Sequence, residues 1–124
     1  MNYCKIYIDT PFNLDEMDDI FLQGFKECIK IPGIEYNLFV NDSRIEDTDI
    51  TSSTYPVDIS RYYAEVDSDP NYEVDEEDFH RSLSELIAWL RQKCAFVVAS
   101  CDFEEYIFSS TGWNWTLENP LPPE

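Results

Sequence analysis

The chain is short of positive charge, of histidine, of glycine and of long apolar runs, and each shortage excludes something. Lys and Arg number 8 against 26 Asp and Glu, a formal net charge of −18 over 124 residues. Binding to a phosphate backbone depends on basic side chains that displace counterions, and attraction to an anionic leaflet needs the same groups. Nucleic acid and membrane are therefore excluded as partners. No apolar run approaches the ~20 residues of a membrane helix. The opening residues 1–9, MNYCKIYID, carry neither the basic region nor the apolar stretch of a signal peptide. These absences predict a cytoplasmic protein. The 3 glycines, at 24, 33 and 112, are too scattered to form a phosphate-cradling loop. The 1 histidine, His80, has no sequence neighbour that marks a nucleophile or a triad, and it reads as a surface or boundary residue. The 4 cysteines (Cys4, Cys28, Cys94 and Cys101) contain no Cys-x-x-Cys, so zinc-finger and thioredoxin spacings are excluded. Each lies in or beside an apolar segment and reads as a small buried hydrophobe with a free thiol. No catalytic residue, no metal ligand set and no cofactor is predicted. The expectation is a protein that is not an enzyme.

What is present is enough to fold. Hydrophobic residues make up 44% and aromatics 15%, including 8 Phe, 8 Tyr and 3 Trp. Residues 3–9 alternate, with Cys4, Ile6 and Ile8 on one side and Tyr3, Lys5, Tyr7 and Asp9 on the other, the period of a half-buried strand. Asn13 with Glu16 three residues on matches a capping box, and Met17, Phe21, Phe25 and Cys28 recur at helical spacing, predicting a helix over 13–30. Residues 34–41 alternate again, with Ile34, Tyr36, Leu38 and Val40 opposite Glu35, Asn37 and Phe39. A polar, turn-rich stretch over 42–56 reads as a long loop. A third strand is predicted over 57–67, with a bulge to reconcile Val57 and Ile59 with Tyr62, Ala64 and Val66. Asp75 caps a second helix over 76–93, and the apolar run 95–101 reads as a covered strand. Residues 102–110 fit either a short helix or a continuing strand.

The element order is β-α-β-β-α-β, which predicts an α+β, ferredoxin-like sandwich: a four-stranded antiparallel sheet with two helices on one face. The first and last strands would be neighbours, bringing Cys4 close to Cys101. A single domain over 1–111 is expected, followed by an extended arm over 112–124 whose tryptophans dock on the body. The sheet face without helices would carry Tyr3, Lys5, Tyr7, Phe39 and either Arg61 or Tyr63. An exposed aromatic patch of that kind marks an interface, covered by the arm, by a homodimer or by a foreign partner.

Charge is unevenly spread. Residues 42–78 hold 13 acids and 2 bases, half of all the acids in 37 residues. Tyrosines are interleaved with them. Such a surface steers in a basic protein by charge and anchors it by rigid aromatics. The expected partner-binding residues are Asp42, Glu46, Asp47, Asp49, Asp67, Asp69 and Glu73 for steering, with Tyr55 and Tyr72 as anchors. The alternative is an ordinary solvated surface, but a charge of this size is self-repulsive and exceeds what solubility needs.

In its small size, acidity, single domain and missing signal peptide, the chain resembles the immunity proteins of bacterial toxin systems, including contact-dependent inhibition. That resemblance implies a protein inhibitor that neutralises one basic cognate toxin, commonly a nuclease, and carries over no residue roles. The competing expectation is a small regulatory or adaptor domain that dimerises through its sheet and binds a ligand.

Overall fold

The structure of the chain, a computed structural model, describes residues 2–45 and 55–123. Within them the elements are β1 (Tyr3–Asp9), α1 (Leu14–Cys28), β2 (Ile34–Val40), α2 (Pro56–Ile59), β3 (Tyr62–Ser68), α3 (Glu76–Arg91), β4 (Phe96–Ser100) and α4 (Glu104–Thr111). The protein is α+β, with a four-stranded antiparallel sheet in the order β2-β3-β1-β4. No described helix is long and apolar enough to cross a membrane.

The helices start where their caps dictate. The Asn13 side chain accepts from the Glu16 N–H at 2.9 Å, and the Glu16 carboxylate accepts from the Asn13 N–H at 3.0 Å, a complete capping box. Asp75 caps α3 by accepting from the Asp78 N–H at 3.2 Å. Behind these caps, Met17 and Phe21 of α1 and Phe79, Leu83, Leu86, Ile87 and Leu90 of α3 are buried in one cluster with Cys4, Ile6 and Ile8 of β1. Each such side chain contributes about 1.5–3 kcal/mol when fully buried. α1 and α3 approach closely at Gly24, where a Cβ would stand 2.5 Å from the Trp89 ring. α4 adds Ile107 and its N-cap residue Phe103 to the same cluster, and a Ser84–Ser110 hydroxyl contact ties it to α3. Four helices are therefore described where two were expected.

The third strand departs from the sequence reading. Residues 57–67 are not a bulged strand: Pro56–Ile59 form α2, and β3 starts at Tyr62. Pro56 occupies the first helical turn, where its fixed φ suits a helix and its missing N–H costs nothing. The Asn41 amide fixes this turn by donating to the Val57 and Ser60 carbonyls at 2.9 and 2.8 Å. The parity mismatch between Val57 and Tyr62 thus marks a change of element. Residues 104–111 are helical, which decides between the two readings of the tail. Cys4 is buried, whereas Cys101 is only half-buried, short of the expectation for it.

Beyond α4 the chain turns at Gly112, whose φ of 91° lies in the left-handed region that glycine adopts without strain. Trp113 then packs on Phe96 and Val98, on the sheet face opposite α1 and α3. Arg91 holds this segment: its guanidinium donates to the Val97 carbonyl at 3.0 Å, the Thr111 hydroxyl at 2.7 Å and the Trp113 carbonyl at 2.8 Å. Burial pushes Arg91 down to about 10, which leaves it cationic at neutral pH. Asn114 accepts from the Ala99 N–H and donates to the Ala99 carbonyl, both at 3.0 Å. Its amide thereby pairs with groups that β4 would otherwise leave open at the sheet edge. Asn114→Ala leaves those buried groups without partners. The expected loss is about 2 kcal/mol of unfolding free energy, measured as a lower urea midpoint at unchanged slope.

Candidate partner-binding face

The pleat of the sheet sorts its residues into two faces. Even-numbered residues of β1 point into the helical core, and odd-numbered ones form the opposite face. Strand register then lines up that second face in rows. One row is aromatic: Phe39 pairs with Tyr63, and Tyr63 with Tyr7. Phe39 and Tyr63 stack with ring centroids 5.0 Å apart, and Tyr63 and Tyr7 lie 6.3 Å apart. In the next row Asn37 pairs with Glu65, and Glu65 with Lys5. The Lys5 ammonium sits over the Tyr63 ring at 4.4 Å and the Tyr7 ring at 5.0 Å. In the row beyond, Glu35 pairs with Asp67, and Asp67 with Tyr3.

That last row is electrostatically unfavourable. Like charges directly opposite on adjacent strands destabilise a sheet, and Asp69 adds a third carboxylate. Repulsion from Asp69, then desolvation, with smaller contributions from a contact to the Asp69 carboxyl and from Asp67, pushes Glu35 above its usual carboxylate range. None of the ion pairs formed by described residues, Arg44–Asp9, His80–Glu76 and Arg81–Asp78, involves these three acids. Tyr3 donates to the Glu65 carboxylate at 2.7 Å; burial, then this bond and the nearby charge, push its phenol upward. A shallow pocket of about 540 Å³ adjoins the row, lined by Tyr3, Asp67, Tyr72 and Glu73 among others. Tyr72 is half exposed at 52%, with its Cβ packed against Gly33.

The residues expected from sequence do not form one patch. Asp67, Asp69, Tyr72 and Glu73 gather at the end of β3 where Ser68 lies. Asp42 and Tyr55 lie at the opposite end, near Val40 and α2. The seven residues of β3 between them span about 20 Å. Glu46, Asp47 and Asp49 lie outside the described residues. Tyr55 is not a free anchor: its ring lies 5.3 Å from Trp115, so it belongs to the covering of the sheet by the arm. Arg61 donates to the Pro11 and Phe12 carbonyls at 3.1 and 2.9 Å, and Tyr63 takes the place on the open face. Two acids of the face, Glu35 and Glu65, were missed. Their signal was present, since Glu35 shares the parity of Phe39 and Glu65 that of Tyr63, but it becomes meaningful only once register is known.

His80 stacks on Phe103 at 3.9 Å and lies 5.6 Å from Tyr106, so its ring packs α3 against α4. Among the described residues there is no group of three or more His, Cys, Asp or Glu that could hold a metal ion. Comparison with known proteins gives no match, whether to a family model, a curated protein or a solved structure.

The raised Glu35 gives a signed prediction. The folded state holds this proton more tightly than the unfolded chain does, so the contribution of Glu35 to stability falls as pH rises through the carboxylate range. Glu35→Gln removes that fall. The variant is expected to be more stable than the parent at about pH 7 and to lose this advantage near pH ~4. Urea midpoints at the two pH values check it, and added salt should narrow the gap by screening the exposed carboxylates.

Proposed function

We propose that the protein is an immunity-type inhibitor, without catalysis of its own, that binds and neutralises a basic cognate toxin, a nuclease in the first instance, in the cytoplasm. The observation that carries this reading is the row Glu35–Asp67 with Asp69, three carboxylates crowded together without a described cationic partner. Crowding of this kind costs stability in the free protein and is relieved when a cationic surface covers it. Beyond the intervening row of Asn37, Glu65 and Lys5, the row of Phe39, Tyr63 and Tyr7 offers rigid contact area of the type that anchors interfaces. Steering acids beside aromatic anchors suit fast capture of a basic partner and its slow release. The fold assignment goes with this reading: the order β2-β3-β1-β4, with α1 and α3 as the two crossovers packed side by side, supports a ferredoxin-like plan. So does the division into a body over 1–111 and an arm over 112–124, whose tryptophans cover the β4 side of the face.

A second reading, a regulatory or adaptor domain that dimerises through its sheet, is favoured by one observation. Asn114 closes the β4 edge, while β2 forms the other edge and pairs only with β3 among the described strands. Salt separates the two readings. Binding of a basic partner weakens as salt is added, whereas self-association of a chain with net charge −18 strengthens.

The test uses the basic C-terminal domain of any large secreted protein encoded by the adjacent reading frame. Asp67→Lys with Asp69→Lys and Glu73→Lys should slow association and flatten its salt dependence, with little change in dissociation. Tyr72→Ala should mainly speed dissociation, by about 2 kcal/mol if it is an anchor. Asp15, Glu16, Asp18 and Asp19 on α1 serve as the control set, since they complement the helix N-terminus. An effect on association confined to that control set would place the interface elsewhere. A failure to bind, together with turnover of a small molecule, would overturn the reading.

A further inference from the structure

Cys4 of β1 and Cys101, just past β4, lie across from each other. The β1–β4 register pairs Lys5 with Ser100, Ile6 with Ala99 and so on to Asp9 with Phe96. One step further along the same register sets Cys4 opposite Cys101. The hydrogen-bonding parity of β1 fixes what kind of pair this is. The Ser68 N–H donates to the Asn2 carbonyl at 3.2 Å, so even-numbered residues of β1 bond to β3 and odd-numbered ones to β4. Cys4 and Cys101 therefore occupy a non-hydrogen-bonded position, where facing Cα atoms are about 4.5 Å apart. That lies within the range of about 4.4–6.8 Å that a disulfide spans. The Cys4 thiol donates to the Lys5 carbonyl at 3.7 Å, and the neighbourhood of the two thiols pushes Cys4 above the usual thiol range and Cys101 below it. Cys4 is fully buried, while Cys101 is half-buried and borders a surface pocket with Tyr3, Asp102 and Glu104.

We propose that Cys4 and Cys101 form an oxidation-sensitive dithiol site, in which the accessible Cys101 is oxidised by hydrogen peroxide and Cys4 resolves the product as an intrachain disulfide. The two thiols are suited to different parts. The neighbouring Cys4 thiol, helped by the Phe103 backbone and opposed by burial and by the Glu104 and Asp102 carboxylates, lowers Cys101 below the usual thiol range, which favours its thiolate. The neighbouring Cys101, together with burial, raises Cys4 well above the usual thiol range and keeps it protonated. In the first step the Cys101 thiolate attacks the O–O bond of peroxide, its sulfur becomes a sulfenic acid, and hydroxide leaves. In the second the Cys4 sulfur attacks the sulfenic sulfur, the S–S bond forms, and the hydroxyl leaves as water with the Cys4 proton. The hydroxide of the first step takes up the proton lost when Cys101 ionised. Two thiols and one peroxide thus give one disulfide and two waters, with two electrons passing from sulfur to oxygen. Cys28 and Cys94 lack such a neighbour: Cys28 lies against the Glu85 carbonyl at 3.6 Å, and Cys94 is buried beside Thr10, with burial raising both.

The experiment treats the reduced full chain with a small excess of hydrogen peroxide, quenches with a thiol-blocking reagent under denaturing conditions, and maps the peptides. The expected result is a fall from four free thiols to two and a peptide linking Cys4 to Cys101 within one chain. Cys101→Ser, a near-isosteric change at a half-buried site, should keep its remaining thiols under the same treatment. Cys4→Ala should stop at the sulfenic acid of Cys101, trapped by dimedone. Circular dichroism identifies any variant that fails to fold, and the parent map alone still decides. Four intact thiols, a disulfide between chains, or linkage through Cys28 or Cys94 would each overturn the proposal.

Discussion

Most of this structure depends on the two-sidedness of the central strand β1. One strand of seven residues supplies Cys4, Ile6 and Ile8 to a core that three helices cover, and Tyr3, Lys5 and Tyr7 to the opposite face. Because successive side chains alternate, a slip of one residue would exchange the two sets and place Lys5 and Asp9 in the core. Register is therefore pinned by burial, and it is register that sets Glu35 against Asp67 and Phe39 against Tyr63.

The open face is divided by what covers it. On the β4 side, Trp113 packs on Phe96 and Val98, with Arg91 and Asn114 holding the arm in place by hydrogen bonds. This is costly in one respect, since Arg91 is a largely buried cation without a described carboxylate partner. Its hydrogen bonds to backbone and side-chain oxygens offset the loss of water. On the β2 side, no described helix covers the aromatic row and the acid row, and there the like-charge crowding accumulates. A chain selected only for stability would neutralise Glu35, Asp67 or Asp69; retaining all three fits a surface that meets a cation.

The same geometry links the candidate face to the thiol pair. Tyr3 belongs to the acid row and also borders the pocket that exposes Cys101. A cross-strand disulfide there would fasten the N-terminal strand to the end of β4 beside the proposed binding surface. Oxidation and partner binding would then act on one end of the sheet.

The sequence by itself determined the two capped helices, the alternating strands β1 and β2, the buried side of β1 and the acidity of the chain, because these are set by local rules: period, cap chemistry and charge. It also carried the proximity of Cys4 to Cys101, through the expected neighbouring of the first and last strands. Other features were beyond it. Whether Val57 and Ile59 belong to a strand or a helical turn depends on Pro56 and on the Asn41 amide, a partner distant in sequence. That Asp42 lies at one end of the sheet and Asp67, Asp69 and Glu73 at the other follows from the direction in which β3 crosses it. Tertiary structure alone decided that Glu35 joins Asp67 and Asp69, because a like-charge contact between residues more than thirty positions apart exists only through strand register.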